Sequence, residues 1–204
     1  MGRQFFAMLH RMRYINRWGL MRNTQSENIT EHSLEVAIIA HALAEIRQAH
    51  HAAGRIPIDP ARVALLAIFH DASEILTGDL PTPVKYYNPS IQDAYKKVEA
   101  TASEQLLKLV PDSLQDAYRA LLLPDRSDPA TDESMRLVKA ADRISALIKC
   151  IDEEKAGNRE FRRARDTIEA SIEAIDLPEV RQFMEQELPS FWQSLDELQD
   201  SALS

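Results

Sequence analysis

The sequence predicts an all-α fold of about seven or more helices, and three observations lead to this prediction. Apolar residues recur at the three- and four-residue spacing of helices along most of the chain, and no stretch alternates convincingly between apolar and polar residues as a strand does. The 204 residues include only five glycines, and no internal repeat is visible. A chain of this length predicts one domain over residues 1–204, with a sizeable hydrophobic core.

Capping residues mark the starts of several predicted helices. Asn28 and Glu31 have the spacing of a capping box. Asp59-Pro60 and Asn88-Pro89 each combine an N-cap acceptor with proline at the first helical position. Thr131 is the predicted cap of the helix that follows it. The predicted helices span residues 3–14, 30–48, 60–76, 88–110, 114–123, 131–155 and 159–175, and a last one runs from 178 to the end with a bend near Pro189.

Composition and charge limit the classes of function. Hydrophobic residues make up 45% and charged residues 27%, as in ordinary soluble proteins. A net charge of −8 argues against a nucleic-acid polymer as partner, although a local metal and arginine still allow a small phosphorylated substrate. Cys150 is the single cysteine, so no intramolecular disulfide is expected. No apolar run approaches the ~20 residues that cross a bilayer, and no signal peptide is recognisable, so we expect a cytoplasmic protein without a membrane partner.

The stretch Ala67-Ile68-Phe69-His70-Asp71-Ala72-Ser73-Glu74-Ile75-Leu76 places three metal- or proton-binding side chains on an apolar helix. At about 100° per residue His70 and Asp71 are neighbours, and Glu74 lies one turn further along. Buried ionised carboxylates are costly unless they are paired or bind a metal. A His-Asp dipeptide alone is more often a polar ridge or a core histidine satisfied by its own aspartate, so other ligands must decide.

Two further apolar helices supply such ligands. His32 lies in the first turn of the 30–48 helix, and Asp142 lies in the middle of the 131–155 helix, where an isolated aspartate needs a partner. The order His, His-Asp, Asp resembles the HD-domain metal-dependent phosphohydrolases at all four positions. This resemblance implies that His32, His70, Asp71 and Asp142 hold one divalent metal ion.

Longer segments resemble one family of that superfamily, the bacterial HD-domain 5′-deoxynucleotidases, over nearly the whole chain. Thr77 to Tyr86 is far more specific than the His-Asp dipeptide, and differences cluster around residues 50–58 and 124–134. The resemblance implies hydrolysis of deoxyribonucleoside 5′-monophosphates to deoxyribonucleoside and phosphate, selectivity against ribonucleotides, and a homodimer. The matching segments are Ile15-Asn16-Arg17-Trp18, Met21-Arg22, Glu27-Asn28, Glu31-His32-Ser33-Leu34, His70-Asp71-Ala72-Ser73-Glu74, Thr77-Gly78-Asp79-Leu80-Pro81-Thr82-Pro83-Val84-Lys85-Tyr86, Leu137-Val138-Lys139, Lys149-Cys150 and Pro189-Ser190-Phe191.

The resemblance also implies roles for individual residues. Two imidazoles and two carboxylates without a thiolate suit Mn, Co, Fe, Ni or Zn, with Co or Mn expected in vitro. Arg17 would orient the phosphate. Glu74 would take the proton of the attacking water or give one to the leaving 5′-oxygen, with Asp79 as the other candidate. Trp18 and the Pro81 loop are candidate walls against a ribose 2′-hydroxyl. The expected substrate-binding residues are Arg17, Trp18, Asp71, Asp79, Leu80, Pro81, Thr82 and Asp142.

When the family resemblance is set aside, the residues indicate only metal-assisted hydrolysis of a phosphate ester. A deoxynucleotide triphosphohydrolase or a signalling-nucleotide hydrolase is an alternative, but it would need more cationic residues than Arg17 and Arg22 near the site. A non-enzymatic nucleotide-sensing module is a third interpretation, and the presence of both Glu74 and Asp79 disfavours it. Without the resemblance, Trp18 at the edge of the core and Arg17 paired with an acid would be the favoured interpretations.

Overall fold

A computed structural model of the chain describes residues 4–85 and 87–203, without the side chains of Thr82 and residues 201–203. Over these residues the elements are helices joined by turns and loops, with no strand, so the all-α prediction is confirmed. Short 3-10 helices span His10–Tyr14, Asp112–Leu114, Arg159–Phe161 and Leu188–Trp192. The α-helices are α1 (Phe5–Leu9), α2 (Ile29–His50), α3 (Pro60–Phe69), α4 (Glu74–Thr77), α5 (Thr82–Lys85), α6 (Pro89–Leu107), α7 (Gln115–Leu122), α8 (Pro129–Lys155), α9 (Arg162–Glu173), α10 (Pro178–Gln186) and α11 (Leu195–Leu203).

The main hydrophobic core forms where α2, α3 and α8 pack together. Val36 and Leu43 of α2, Leu66 of α3, and Leu137 and Ile144 of α8 are buried in it. Residues of α9 and α10 join the same cluster. Burying large aliphatic side chains contributes about 1.5–3 kcal/mol each. This contact therefore fixes α2 and α8, which carry His32 and Asp142, relative to α3, which ends just before His70.

A second, smaller core anchors the segment between α3 and α4. Phe5, Leu106 and Leu122 pack there with Ala72, and all four side chains are buried. Ala72 lies between His70 and Glu74 in the sequence. The predicted chemistry-bearing segment is therefore fixed to the core at its centre.

The prediction of one continuous helix over residues 60–76 is wrong. The backbone N–H of His70 donates to the carbonyl of Ala67 at 3.4 Å, and that of Glu74 donates to Asp71 at 3.0 Å, the three-residue spacing of a tighter turn. The imidazole Nδ1 of His70 also lies 2.7 Å from the Ala67 carbonyl oxygen. This side chain competes with the backbone for the acceptor, which explains why α3 ends where the site begins.

The predicted starts of α2, α3 and α6 are confirmed, but the predicted cap of α8 is wrong. Asn28, Asp59 and Asn88 each accept a backbone N–H at the start of their helix. For α8 the N-cap is Asp128, which accepts hydrogen bonds from the N–H and hydroxyl of Thr131. Since Pro129 occupies the first helical position, the helix begins two residues earlier than predicted.

Several predicted helices are shorter or interrupted. The predicted 3–14 helix is α1 followed by a 3-10 helix, and the predicted 88–110 helix ends at Leu107. The predicted 159–175 helix starts with a 3-10 turn before α9. The last predicted helix is not bent but broken into α10, a 3-10 helix containing Pro189, and α11. Proline lacks the N–H that a continuing helix needs, which accounts for this last break.

The segment before α2 is tied to that helix by backbone contacts. The N–H of Arg17 donates to the carbonyl of Glu27 at 2.9 Å, and that of Ile29 donates to Ile15 at 3.0 Å. The loop between them is attached to α8, because Glu153 accepts the backbone N–H of Thr24 at 2.9 Å. These contacts place Arg17 beside the first turn of α2.

No helix in residues 4–85 and 87–203 combines the length and the apolar character of a membrane span.

Candidate active site

Three side chains from separate parts of the fold meet at one point. Among the residues that the structure describes, His32, His70 and Asp142 form a group that could hold a metal ion, because one ligand atom of each lies within 4.8 Å of the others. Nε2 of His32 is 3.3 Å from Oδ1 of Asp142. The centroids of the two imidazole rings are 5.4 Å apart. The fold thus brings together three of the four predicted ligands.

The fourth predicted ligand, Asp71, lies beside this group. Its Oδ2 is 3.1 Å from Nε2 of His70 and 3.6 Å from Nε2 of His32. The same oxygen is 3.6 Å from Nη1 of Arg17. Asp71 therefore faces both imidazoles and the guanidinium, and its role as a metal ligand stays a prediction.

The capping box at the start of α2 positions His32. Oδ1 of Asn28 accepts the N–H of Thr30 and of Glu31 at 2.9 and 3.2 Å, and the Glu31 side chain accepts the N–H of Asn28 at 3.1 Å. An N-cap of this kind contributes about 1 kcal/mol. His32 follows in the first turn with its side chain fully buried, so the cap fixes the depth at which the imidazole enters the core.

Hydrogen bonding fixes which nitrogen of each imidazole faces the group. Nδ1 of His70 lies 2.7 Å from the Ala67 carbonyl oxygen, and because a carbonyl can only accept, Nδ1 donates. Nδ1 of His32 lies 3.1 Å from Oγ of Ser145. The hydroxyl of Ser145 donates a hydrogen bond to Oε2 of Glu35 at 2.5 Å, so its Oγ accepts the hydrogen bond from His32. In the neutral form of each ring the lone pair is therefore on Nε2, the atom that faces Asp142 and Asp71.

Both Nε2 atoms are buried and have no hydrogen-bond partner among the described residues. Buried polar atoms in native proteins nearly always have a partner. Two such nitrogens beside the carboxylates of Asp71 and Asp142 match the imidazole and carboxylate donors that divalent transition ions prefer. The residues present therefore fit a divalent metal ion.

The carboxylates shift the pKa values of the group in opposite directions. Burial lowers the pKa of His32, but the carboxylates of Asp142 and Glu27 outweigh it and raise this pKa to about 9. Burial raises the pKa of Asp142, but Lys139 and His32 outweigh it and hold the pKa well below its usual range. His32 thus holds a proton near neutral pH until a cation replaces that proton.

Lys139 and Asp142 form an ion pair one helical turn apart on α8. Nζ of Lys139 lies 2.7 Å from Oδ2 of Asp142, while Oδ1 of the same carboxylate faces His32. The two oxygens of Asp142 therefore have different partners, one at the surface and one in the group.

Glu74 lies in the first turn of α4 and is buried, with 4% of its surface exposed. Its Oε2 has no hydrogen-bond partner within the described residues. Burial, together with the negative charges of Asp71 and Asp79, raises the pKa of Glu74 to about 9. The predicted proton-transfer residue is thus a desolvated carboxyl group in the electrostatic field of the candidate ligands.

The loop after α4 places the other predicted substrate residues around the same region. Asp79, Leu80 and Pro81 are half-buried, and the side chain of Thr82 lies outside the described residues. Gly78 has φ +71°, which glycine adopts without strain, and its carbonyl accepts the hydroxyl of Tyr95 at 3.2 Å. Burial raises the pKa of Asp79, whereas a hydrogen bond from the backbone of Trp18 lowers it.

Arg17 and Trp18 approach the site from the segment before α2. Nε of Arg17 is buried 3.5 Å from Oε1 of Glu27. The indole Nε1–H of Trp18 donates to Oε2 of Glu27 at 2.8 Å, and its ring packs on Phe161 with centroids 5.3 Å apart. Trp18 has φ +59°, a left-handed conformation that costs a bulky residue about 1–3 kcal/mol and is often found at functional sites.

Three residues that support the site were missed in the sequence: Glu27, Glu35 and Ser145. Glu35 follows His32 by three residues, and Ser145 follows Asp142 by three, so both lie on the ligand-bearing faces of their helices. This spacing was the available signal for those two. Glu27 belonged to a matching segment, Glu27-Asn28, but its role was not indicated, because its contacts with Trp18 and His32 depend on the bend between the first segment and α2.

The arrangement can bind a cation and an anion next to each other. Imidazole nitrogens and carboxylates face a common point, and the guanidinium of Arg17 lies 3.6 Å from Oδ2 of Asp71 at its edge. A cation site with an adjacent fixed positive charge is what metal-assisted hydrolysis of a phosphate ester requires.

Comparisons with solved structures match this fold to HD-domain proteins. An HD-domain phosphohydrolase from Listeria innocua superposes with a TM-score of 0.76 at 23% identity, covering 94% of this chain and 90% of the other. An HD phosphohydrolase of cyanophage S-2L, solved with dA and one catalytic Zn²⁺ ion, gives a TM-score of 0.61 at 18% identity, covering 92% of this chain and 96% of the other. At such identities these matches establish the fold.

Comparisons of sequence are more specific. A protein of Escherichia coli O1:K1 named 5′-deoxynucleotidase YfbR is 48% identical over 200 residues, which are 98% of this chain and 98% of the relative. Relatives from other Escherichia coli strains, including O45:K1, match to the same extent. The sequence model of the family described as 5′-deoxynucleotidase YfbR-like matches residues 4–191. The predicted resemblance is therefore confirmed, and the chain belongs to the 5′-deoxynucleotidase YfbR-like family.

Proposed function

We propose that this chain hydrolyses deoxyribonucleoside 5′-monophosphates to deoxyribonucleoside and phosphate in a metal-dependent reaction that selects against ribonucleotides. The observation that carries the proposal is the meeting of His32, His70 and Asp142 in a chain 48% identical to proteins named 5′-deoxynucleotidase. The cyanophage HD phosphohydrolase was solved with dA, a deoxynucleoside of the kind that the proposed reaction releases.

His32, His70, Asp71 and Asp142 would hold one divalent ion. Two observations support this set: the Nε2 atoms of both histidines lack a hydrogen-bond partner among the described residues, and carboxylates lie next to them. The donors suit Co, Mn, Zn, Fe or Ni, and Co or Mn is the expected activator in vitro. When bound, such an ion would supply Lewis-acid activation of the attacking water and of the phosphoryl group.

Arg17 binds the phosphate. Its guanidinium presents N–H donors in a planar fork that matches phosphate oxygens. The ion pairs with Glu27 and Asp71, at 3.5 and 3.6 Å, orient the guanidinium beside the candidate ligands. Charge that develops on the phosphoryl oxygens in the transition state is therefore met by a preorganised positive group.

Glu74 transfers the proton. Its carboxyl group is buried next to the ligands and Oε2 makes no hydrogen bond with described residues, so this oxygen is available to a substrate or a water. Glu74 takes a proton from the attacking water or gives one to the leaving 5′-oxygen. Asp79 remains the other candidate, although it already accepts a hydrogen bond from the backbone of Trp18.

Trp18 and the loop Asp79-Leu80-Pro81-Thr82 form the nucleoside site. Trp18 is held in a strained conformation beside Arg17, and the described loop residues are half-buried near Glu74. A wall here that leaves neither space nor a partner for a 2′-hydroxyl would reject ribonucleotides. Asp71 and Asp142 would contact the substrate from the metal side.

We also propose that residues 1–204 act as one phosphohydrolase domain, that the enzyme is a homodimer and that it works in the cytoplasm. The continuity of the main core through α2, α3, α8, α9 and α10 supports one domain. The dimer rests on the family resemblance. Size-exclusion chromatography with light scattering would test it, and the mass of a single chain, 23.2 kDa, would contradict it.

The test of the activity is phosphate release from dAMP, AMP and dATP by metal-loaded protein. The proposal predicts release from dAMP, little release from AMP and none from dATP. Release of pyrophosphate or triphosphate from dATP would instead support a triphosphohydrolase. Binding of all three nucleotides without turnover would support a sensing module.

A further inference from the structure

Glu27 joins three residues of the candidate site through one carboxylate. Its Oε2 accepts the indole Nε1–H of Trp18 at 2.8 Å. Its Oε1 lies 3.3 Å from Nδ1 of His32 and 3.5 Å from Nε of Arg17. Only 12% of the Glu27 side chain is exposed, so water competes little for these contacts.

The contacts of Trp18 show what Glu27 adds. The carbonyl of Trp18 accepts the N–H of Met21 at 2.9 Å and the side-chain amide of Asn23 at 3.3 Å. Phe161 supports the indole ring at a centroid distance of 5.3 Å. These contacts hold the backbone in its left-handed conformation and support the ring. The hydrogen bond from Nε1–H to Glu27 adds a directional contact to the indole itself.

Arg17 depends on the same carboxylate. It forms ion pairs with Glu27 and with Asp71. Asp71 is a predicted metal ligand, and a carboxylate that binds a cation has less negative charge to offer a guanidinium. Glu27 is therefore the partner that can keep Arg17 oriented when the site is loaded.

Other buried carboxylates differ in their partners. Glu179 pairs with Arg47 at 2.7 Å and stabilises the contact between α10 and α2. Glu153 pairs with Lys149 within α8. The partners of Glu27, in contrast, are a predicted phosphate ligand, a predicted nucleoside contact and a predicted metal ligand.

We propose that Glu27 is a positioning residue for substrate selection. It fixes the Trp18 ring relative to the Arg17 guanidinium, so that the sugar and the phosphate of one nucleotide are recognised by a single rigid unit. The inference rests on the proposed function for the identity of the substrate. The orientation of the Trp18 ring, however, can be measured without any substrate.

The experiment compares Glu27→Ala and Glu27→Gln in a Trp192→Phe background, where Trp18 is the remaining one of the two tryptophans. Acrylamide quenching of tryptophan fluorescence reports the exposure of the ring. The ratio of kcat/KM for dAMP to that for AMP reports selection. Metal content is measured for each variant, so that an indirect effect through His32 is recognised.

The two variants have different expected results. Glu27→Ala removes all three contacts, so the quenching constant rises about twofold or more and the dAMP-to-AMP ratio falls roughly tenfold. In Glu27→Gln the amide oxygen still accepts from the indole, whereas the amide NH₂ faces Arg17. Quenching and the ratio then stay at the parent values, while KM for dAMP rises roughly tenfold with little change in kcat.

Glu179→Gln is the matched control, because it removes a buried carboxylate that lies outside the site. It should lower stability without changing quenching or the ratio. If folded, metal-loaded Glu27→Ala keeps the quenching constant and the dAMP-to-AMP ratio of the parent, the proposal is overturned. It is also overturned if Glu179→Gln changes these two quantities as much as Glu27→Ala does. If Glu27→Ala does not fold, an unchanged KM in Glu27→Gln overturns it. Absence of phosphate release from dAMP by the parent would contradict the proposed function. The quenching measurement would still test whether Glu27 holds the Trp18 ring.

Discussion

Oδ1 of Asp142 lies 3.3 Å from Nε2 of His32, although the two residues belong to different helices, α8 and α2. This nitrogen is buried and makes no hydrogen bond with the described residues. A carboxylate and an imidazole at this distance need a shared cation or proton to offset their desolvation. The packing of α2 on α8 therefore brings together two donors of the candidate cation site.

Removal of a predicted ligand should remove the metal. We expect His70→Ala to lower metal affinity by more than about 100-fold, because even residues that only support metal ligands contribute about 10- to 100-fold. Isothermal titration calorimetry with Co²⁺ or Mn²⁺ measures this. His41→Ala is the control, since His41 is an exposed histidine on α2 that contacts Glu45. Equal affinity in His70→Ala and the parent would show that His70 is not a ligand.

Ser145→Ala tests the support of His32. The hydroxyl of Ser145 accepts from Nδ1 of His32 and donates to Glu35, so its loss should weaken metal binding by about 10- to 100-fold. Ser134→Ala is the matched control, because Ser134 is another buried serine of α8, and its hydroxyl donates to the Ala130 carbonyl. If Ser145→Ala binds the metal as tightly as the parent in the same titration, Glu27 alone orients His32.

How much of this site the sequence could predict differs from residue to residue. His32, His70 and Asp142 stood out because polar side chains on apolar helices need partners. The break after α3 could not be predicted, since it depends on the imidazole of His70 reaching the Ala67 carbonyl. The contacts of Glu27 were equally hidden, because they depend on how the chain bends between Trp18 and α2.

The fold shows the same division between local and tertiary information. Asn28, Asp59 and Asn88 mark helix starts through contacts within four residues, and the structure confirms all three. Helix ends were less predictable. Residues 108–110 continue the apolar pattern of α6, yet Leu109 and Val110 bond to carbonyls three residues back in a closing turn. Periodicity does not reveal where a helix tightens to pack against its neighbours.

Trp18→Ala tests the predicted wall against ribose. We expect the ratio of kcat/KM for dAMP to that for AMP to fall roughly tenfold or more, because the removal of the indole leaves space for a 2′-hydroxyl. Trp192→Ala provides the control, since Trp192 lies in the 3-10 helix that precedes α11. An unchanged ratio in Trp18→Ala would mean that another residue excludes ribonucleotides.

Glu153 gives a prediction for stability against acid. Burial alone would raise the pKa of Glu153, but hydrogen bonds from Lys149, Asn158 and Thr24 lower it from 4.5 to about 2. The folded state thus binds this proton less readily than the unfolded state. The stabilisation of the folded state by ionised Glu153 is complete above pH 4.5 and is lost as the pH falls to about 2.

Glu153→Gln should therefore be destabilised at neutral pH by about 1–3 kcal/mol, and its difference from the parent should shrink as the pH falls. Urea unfolding at several pH values measures this. Glu173→Gln, at an exposed position of α9, is the control and should follow the parent throughout. A difference between Glu153→Gln and the parent that does not vary with pH would contradict the pKa shift.

The most direct test of the central claim measures metal content and phosphate release from dAMP together, in the parent and in Glu74→Gln. Both proteins are stripped with a chelator and then supplied with Co²⁺ or Mn²⁺. We expect no release from the stripped parent and restored release after metal addition. We also expect that Glu74→Gln binds the same amount of metal but turns over about 100- to 10,000-fold more slowly, because the proton-transfer group is lost. Full activity of the stripped parent would contradict the metal dependence, and full activity of metal-loaded Glu74→Gln would contradict the role of Glu74 in proton transfer.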